Sequence, residues 1–250
     1  MAGIYQLTVV SNESLTPSMR RVVLTGSDLE SFPAAQESGY VKLELTDAEG
    51  SRVMRSYTIR AFDPQTQRLL LDFVDHGDAG PASAWARHVQ PGESITIRGP
   101  GEPKRVDPSA DWFLIAGDLS ALPAIATNLE GLRRDAQGYV FIEIPDPADQ
   151  QSIDAPPGMT VRWILNADPT CPNKPLLEAL EAQAWLPGTP YPWFAGEFEG
   201  MRRARRYLRD QRGIDKRAMY LSCYWKLGDT DEGMKRAKRA DAEADSRTPA

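Results

Sequence analysis

An arginine and a tyrosine two residues apart on a strand combine a fixed cation with a flat aromatic surface. Arg55, Ser56, Tyr57, Thr58, Ile59 and Arg60 run consecutively. Strand alternation puts Arg55, Tyr57 and Ile59 on one face and Ser56, Thr58 and Arg60 on the other. On the exterior of a barrel, Arg55 would offer charge to a diphosphate and Tyr57 a ring to a heterocycle. An ordinary amphipathic strand reads the same way, so the hexapeptide alone leaves both readings open. A second stretch narrows the choice. Asp72-Phe73-Val74-Asp75-His76-Gly77 ends another predicted strand, and Gly80-Pro81-Ala82-Ser83-Ala84-Trp85-Ala86 leads into a short helix. Proline suits the first helical position, and small Ala82 and Ser83 let a ligand approach the backbone. The unpaired N–H groups at that helix start suit a phosphate. A charge at a helix end gains only about 0.3–1 kcal/mol, so a diphosphate there needs Arg55 as well.

Other chemistries find little material. The chain has two cysteines, Cys171 and Cys223, outside any CxxC, and two histidines, His76 and His88. No tetrahedral metal set can be assembled from them, and both thiols read as buried and inert. No catalytic residue is assigned. The net charge of −6 gives nucleic acid no support from the global field. No apolar run is long enough to span a membrane, and the N-terminus lacks a leader pattern, which places the expected location in the cytoplasm.

The elements that must hold these residues divide into two kinds. Residues 1–107 read as six short strands, at 5–10, 20–24, 40–45, 54–60, 69–74 and 94–97, interrupted by a helix at 81–88. Within 40–45, Val41, Leu43 and Leu45 alternate with Tyr40, Lys42 and Glu44. Short alternating strands separated by turns predict an antiparallel β-barrel. From 108 to 228 strands alternate with helices: strands at 111–116, 139–144, 161–165, 191–194 and 218–224, helices at 121–134, 175–185 and 197–212. That alternation predicts an open, mostly parallel α/β sheet. Residues 229–250 form a charged tail with a helix expected at 231–242. The fold class is therefore a six-stranded barrel followed by a nucleotide-binding-like α/β domain.

At this point a resemblance becomes specific. RSYTIR (55–60), DFVDHGDAGPASAWA (72–86), IRGPGE (97–102), AGDLSALPAI (116–125), PWFAGE (192–197) and RRYLRDQRGIDKRAMYLSCYWKLG (205–228) are together similar to the siderophore-interacting proteins. These are ferredoxin-reductase-like flavoproteins that reduce ferric siderophores. The resemblance implies FAD, with Arg55 on its phosphates, Tyr57 on the isoalloxazine and Thr58 near N5. Val74 and His76 would line the flavin or ribose, and Gly80, Ala82 and Ser83 the pyrophosphate. It also puts Ser56, Asp72, Phe73, Pro81 and Trp225 in the cofactor's surroundings. Lys42, on its strand face with Tyr40 and Glu44, and Lys226, after the Tyr224-Trp225 that the family often follows with a basic residue, are candidate cations for an anionic ferric siderophore; the plainer reading of each, of Lys42 above all, is a surface lysine.

Electrons would come from NAD(P)H or from ferredoxin. Gly117, Asp118, Gly196 and Glu197 are the nicotinamide-site candidates, since they end strands of the α/β half. The family writes its turn as Gly-Asp-Glu-Thr-Ala-Leu-Pro, whereas Leu119 and Ser120 depart from it here. No G-x-G-x-x-G is present. Arg202, Arg205, Arg206 and Arg209 form a helical stripe with three readings: a solvated face, a dock for an acidic electron-transfer partner, or a nucleotide-phosphate site. A general flavin reductase and a siderophore-binding module without catalysis are the rival functions. Neither the siderophore nor the oligomeric state is legible.

Overall fold

A computed structural model describes residues 3–246. It contains two compact units. One holds the described residues up to Val106 together with Leu122–Arg134 and Asp146–Pro156; the other holds Asp107–Ala121, Asp135–Pro145 and the chain from Pro157 onward.

The first unit is a closed antiparallel barrel of β1 (Gly3–Thr16), β2 (Met19–Thr25), β3 (Tyr40–Thr46), β4 (Arg52–Asp63), β5 (Arg68–Val74) and β6 (Ser94–Gly101), in the order β1-β2-β5-β4-β3-β6. The alternation read in β3 is realised, with Val41, Leu43 and Leu45 buried and Lys42 exposed. Inward residues Leu7, Leu24, Leu43, Ile59 and Leu71 are all within 1% of full burial. Each such side chain contributes about 1.5–3 kcal/mol by leaving water. β1 runs beyond the expected 5–10 because its polar second half, Ser11 to Ser14, pairs with Val23 to Arg20 of β2. Helix α1 (Pro81–His88) has the predicted bounds. The Asn12 side chain closes its far end by donating to the Ala86 and Val89 carbonyls at 2.7 and 2.9 Å. Helix α2 (Leu122–Glu130) packs with this unit, and Asn128 donates to the Lys104 carbonyl while accepting from the Val106 N–H.

The second unit carries a parallel sheet of β7 (Trp112–Asp118), β8 (Gln137–Ile144), β9 (Gly158–Leu165), β10 (Pro190–Glu197) and β11 (Tyr220–Trp225), ordered β11-β10-β7-β8-β9. β7 is buried along its whole length, as its unbroken apolar sequence requires. Helix α3 (Lys174–Glu181) turns Leu176, Leu177 and Leu180 into the core. Helix α4 (Phe198–Arg205) passes into a π-helical segment, Arg206–Gln211, so the helix expected at 197–212 runs over 198–211 and changes its winding.

Helix α5 (Asp231–Ser246) changes the reading of the arginine stripe. Asp241 accepts from Arg205 at 2.7 Å and pairs with Arg202 at 3.1 Å, and Asp245 accepts from Arg209 at 2.5 Å. Three of the four arginines are thus met by the chain's own carboxylates, which reduces the net positive charge that the stripe presents. Arg206 stays exposed. No described helix is long and apolar enough to cross a membrane.

Candidate functional site

The barrel closes unevenly around β4. Its ladder with β3 runs from Arg52 to Thr58, whereas its ladder with β5 starts only at Ile59, paired with Leu71, and ends at Asp63. Residues 52–58 therefore present one edge of backbone groups that β5 does not take up. Arg55, Ser56, Tyr57 and Thr58 all lie on this half-paired stretch. The Arg55–Tyr57–Ile59 face is directed inward and not to the barrel exterior, because Ile59 fills the core and is fully buried. Tyr57 follows it, its ring 4.2 Å from that of Phe73 and tilted by 33°. Trp85 of α1 meets Phe73 at 5.5 Å on the same cluster. Three rings from β4, β5 and α1 thus fix the half-paired strand against the helix. Burial pushes the Tyr57 phenol above its ordinary range, and the nearby Arg55 charge works against that rise. The Arg55 guanidinium also donates to the Met54 carbonyl at 3.0 Å.

The loop between β5 and α1 is preorganised. Gly80 precedes the helix at φ 136°, a conformation that favours glycine. Ser83 is buried; its hydroxyl accepts from the His76 N–H at 3.1 Å and donates to the Gly77 carbonyl at 2.6 Å, which closes the loop. Asp75 pairs with Arg87 at 3.0 Å, and Asp78 accepts the ring of His88 at 3.1 Å. Pro81 has no N–H and Ala84 donates to Gly80, so the backbone N–H groups of Ala82 and Ser83 are the donors left at the helix start. Asp72 and Phe73 point to opposite faces of β5. Phe73 joins the ring cluster, while Asp72 holds Arg21 through two bonds of 2.7 and 2.8 Å. That pair lines a cavity of about 380 Å³ with Thr16, Arg60, Pro123 and Gln150. Val74 is half-buried at the end of β5.

In the second unit the four nicotinamide-site candidates lie at the carboxyl ends of β7 and β10, with Asp118 and Glu197 buried. Trp225 donates its indole N–H to Asp118 Oδ2 at 2.9 Å. Two further residues, unmarked by the sequence, complete this cluster. Asn173 is fully buried at φ 60°. It donates its side-chain amide to Asp118 and Glu143 at 3.3 Å each, and accepts the Glu197 N–H at 2.8 Å. Glu143 accepts the Asn173 N–H at 2.7 Å, and its Oε2 is buried with no protein partner. The available signal was the Asn-Lys-Pro at 173–175, since asparagine tolerates the left-handed region and proline opens a helix.

Desolvation raises the Glu143 carboxyl above its ordinary 4.5. A raised acid binds its proton on folding, so its contribution to stability is complete below that value and declines as pH rises through the raised one. Glu143→Gln is expected to flatten the fall in stability above about pH 4.5, with a higher Tm than the parent at about pH 8. Thermal denaturation across pH checks this, and equal slopes for the two proteins would refute it. Cys223 is buried, its thiol pushed up to about 11 by desolvation, while Cys171 is exposed, contrary to the expectation of two buried thiols. Lys42 lies exposed beside Ser56 and Arg98 in the barrel ladders. Lys226 donates to Asp229 at 2.9 Å.

Comparison with known proteins follows the same division. Residues 110–228 match the model of the siderophore-interacting protein family, and residues 8–53 and 44–104 that of the siderophore-interacting FAD-binding domain. Ferric vibriobactin reductase ViuB of Vibrio cholerae is 34% identical over 246 residues, which cover 90% of each chain. The crystal structure of the siderophore-interacting protein SipS from Aeromonas hydrophila superposes with a TM-score of 0.86 at 31% identity, over 96% of this chain and 98% of that one. Ferredoxin-NADP+ reductase from Plasmodium falciparum shares the fold at 8% identity, with a TM-score of 0.67 over 88% of this chain and 96% of its own.

Proposed function

The chain belongs to the siderophore-interacting protein family, and from that premise we propose that it is an FAD-dependent reductase of ferric siderophores, freeing Fe(II) in the cytoplasm. The observation that carries this reading is the edge of β4 that β5 leaves unpaired, with Arg55 and Tyr57 on it and the ring cluster joining it to α1. These residues supply the groups a flavin dinucleotide would need: a cation, an aromatic ring and unpaired backbone donors. Arg55 would neutralise the pyrophosphate, assisted by the Ala82 and Ser83 N–H groups at the start of α1. Tyr57 would support the ring system, with Thr58 and the backbone of the same strand beside it, and Val74 and His76 would flank it. The closed loop at Ser83 keeps the phosphate donors in place before any ligand arrives.

The chemistry the cofactor would supply is a relay of electrons from NAD(P)H or ferredoxin to ferric iron. Hard oxygen donors hold Fe(II) less tightly than Fe(III), so reduction favours release. No side chain need act as acid, base or nucleophile. The chain's remaining task is to draw in an anionic substrate, and Lys42 and Lys226 are the cations assigned to it. Lys226 is paired with Asp229, whose hydrogen bond raises the lysine's pKa. Lys226→Ala is expected to raise KM for an anionic ferric siderophore roughly threefold, an effect that shrinks with added salt, and to leave flavin content intact. Unchanged KM at low salt would remove Lys226 from the substrate's path.

The purified protein should be yellow. After anaerobic reduction with dithionite, it should be reoxidised by ferric siderophores with Fe(II) captured by a ferrous chelator. A colourless protein that takes up no added FAD would leave a binding module. Equal rates with every oxidant would leave a general flavin reductase.

A further inference from the structure

In open α/β sheets a dinucleotide sits outside the carboxyl ends of the strands, where strand order reverses. Here that point lies between β7 and β10, with β8 and β9 to one side and β11 to the other. A dinucleotide needs room there, free backbone donors for its phosphates, and no opposing negative charge. The chain's own groups take up all three.

Room is taken by Asn173. At Gly196, the position of a Cβ would lie 2.6 Å from Asn173 Oδ1 and 2.9 Å from Asp118 Oδ2; at Gly200, in the first turn of α4, it would lie 2.7 Å from Asn173 Oδ1. The glycines that would let a ligand approach the backbone admit this amide instead. The phosphate donors are also engaged. Glu197 Oε2 accepts the N–H groups of Glu199 and Gly200 at 2.5 and 3.1 Å, and Asp118 Oδ1 accepts that of Ser120 at 3.0 Å. Charge is unfavourable too, since Asp118, Glu143 and Glu197 are all buried at this edge, where a pyrophosphate would meet like charge in a site sheltered from salt.

We propose that Asn173, locked by Asp118 and Glu143, is a specificity-determining plug that keeps NADH and NADPH out of the crevice of the parallel sheet. This rests on the reductase reading. It means that electrons enter singly from a reduced protein carrier, one carrier being oxidised for each Fe(III) reduced, with no hydride transferred.

Calorimetry on the flavin-loaded protein tests binding apart from turnover. NADH and NADPH at about 1 mM, the upper end of ordinary KM values, should give no binding heat with the parent. Asn173→Gly, which keeps the left-handed backbone and clears the crevice, should bind at least one of them. It should also gain at least about tenfold in the rate of flavin reduction by that nucleotide, with reduction by reduced ferredoxin unchanged. Should Asn173→Gly fail to fold, Asn173→Ala, which likewise removes the amide from the crevice, carries the same expectation. Tight binding of either nucleotide by the parent, or a folded variant that gains neither heat nor rate, overturns the plug. Loss of the reductase reading shows differently, as failure of the dithionite-reduced protein to reduce any ferric siderophore.

Discussion

Arg55→Ala is expected to release most of the FAD on dialysis. A charge-assisted hydrogen bond to phosphate is worth about 1.5–3 kcal/mol, so Kd should rise between about tenfold and about 150-fold. Flavin fluorescence titration of the apoprotein reads this directly. Arg55→Lys restores a point charge without the planar fork and should recover part of the affinity. Wild-type flavin affinity in Arg55→Ala would remove the phosphate role.

The second large effect is structural. Asp72→Ala strips the carboxylate from Arg21, whose side chain is 24% exposed while that of Asp72 is 4% exposed. Breaking a fully buried pair costs about 3–5 kcal/mol because one charge is left without a partner, and the partial exposure of Arg21 reduces this to about 2–3 kcal/mol. Thermal unfolding should fall by roughly 5–10 °C. Replacing both members, Arg21→Met with Asp72→Leu, should recover much of the loss, since no charge is then stranded. A single variant as stable as the parent would mean that solvent already satisfies Arg21. The sequence motif placed Asp72 beside the flavin; in the structure its carboxylate is committed to Arg21.

The barrel was legible because its strands alternate: Val41, Leu43 and Leu45 can face only one way together. The same rule placed Arg55, Tyr57 and Ile59 on one face, but not which face was inward. Ile59 settles that, since a fully buried isoleucine carries its face-mates inward. The second half of β1 was not legible. Ser11, Asn12, Glu13 and Ser14 have the composition of a loop, and only pairing with β2 and the Asn12 bonds to α1 make them a strand. Asn173 escaped notice for a related reason. Its role depends on residues 30 and 55 positions away, Glu143 and Asp118. The contact of α5 with the arginines had a signal that went unread: Asp241 and Asp245 repeat the four-residue spacing of Arg205 and Arg209.

That last contact has a practical consequence for handling the protein. An acidic chain would be purified on an anion exchanger, and its final residues look like a dispensable place for a tag or a proteolytic trim. Cutting after Gly228 removes Asp241 and Asp245, leaving Arg205 without the carboxylates that meet it and Arg202 and Arg209 with only Glu199 and Asp210 on their own helix. The shortened molecule would carry a more cationic ridge on an otherwise negative body. It should be held more strongly by heparin than the intact chain.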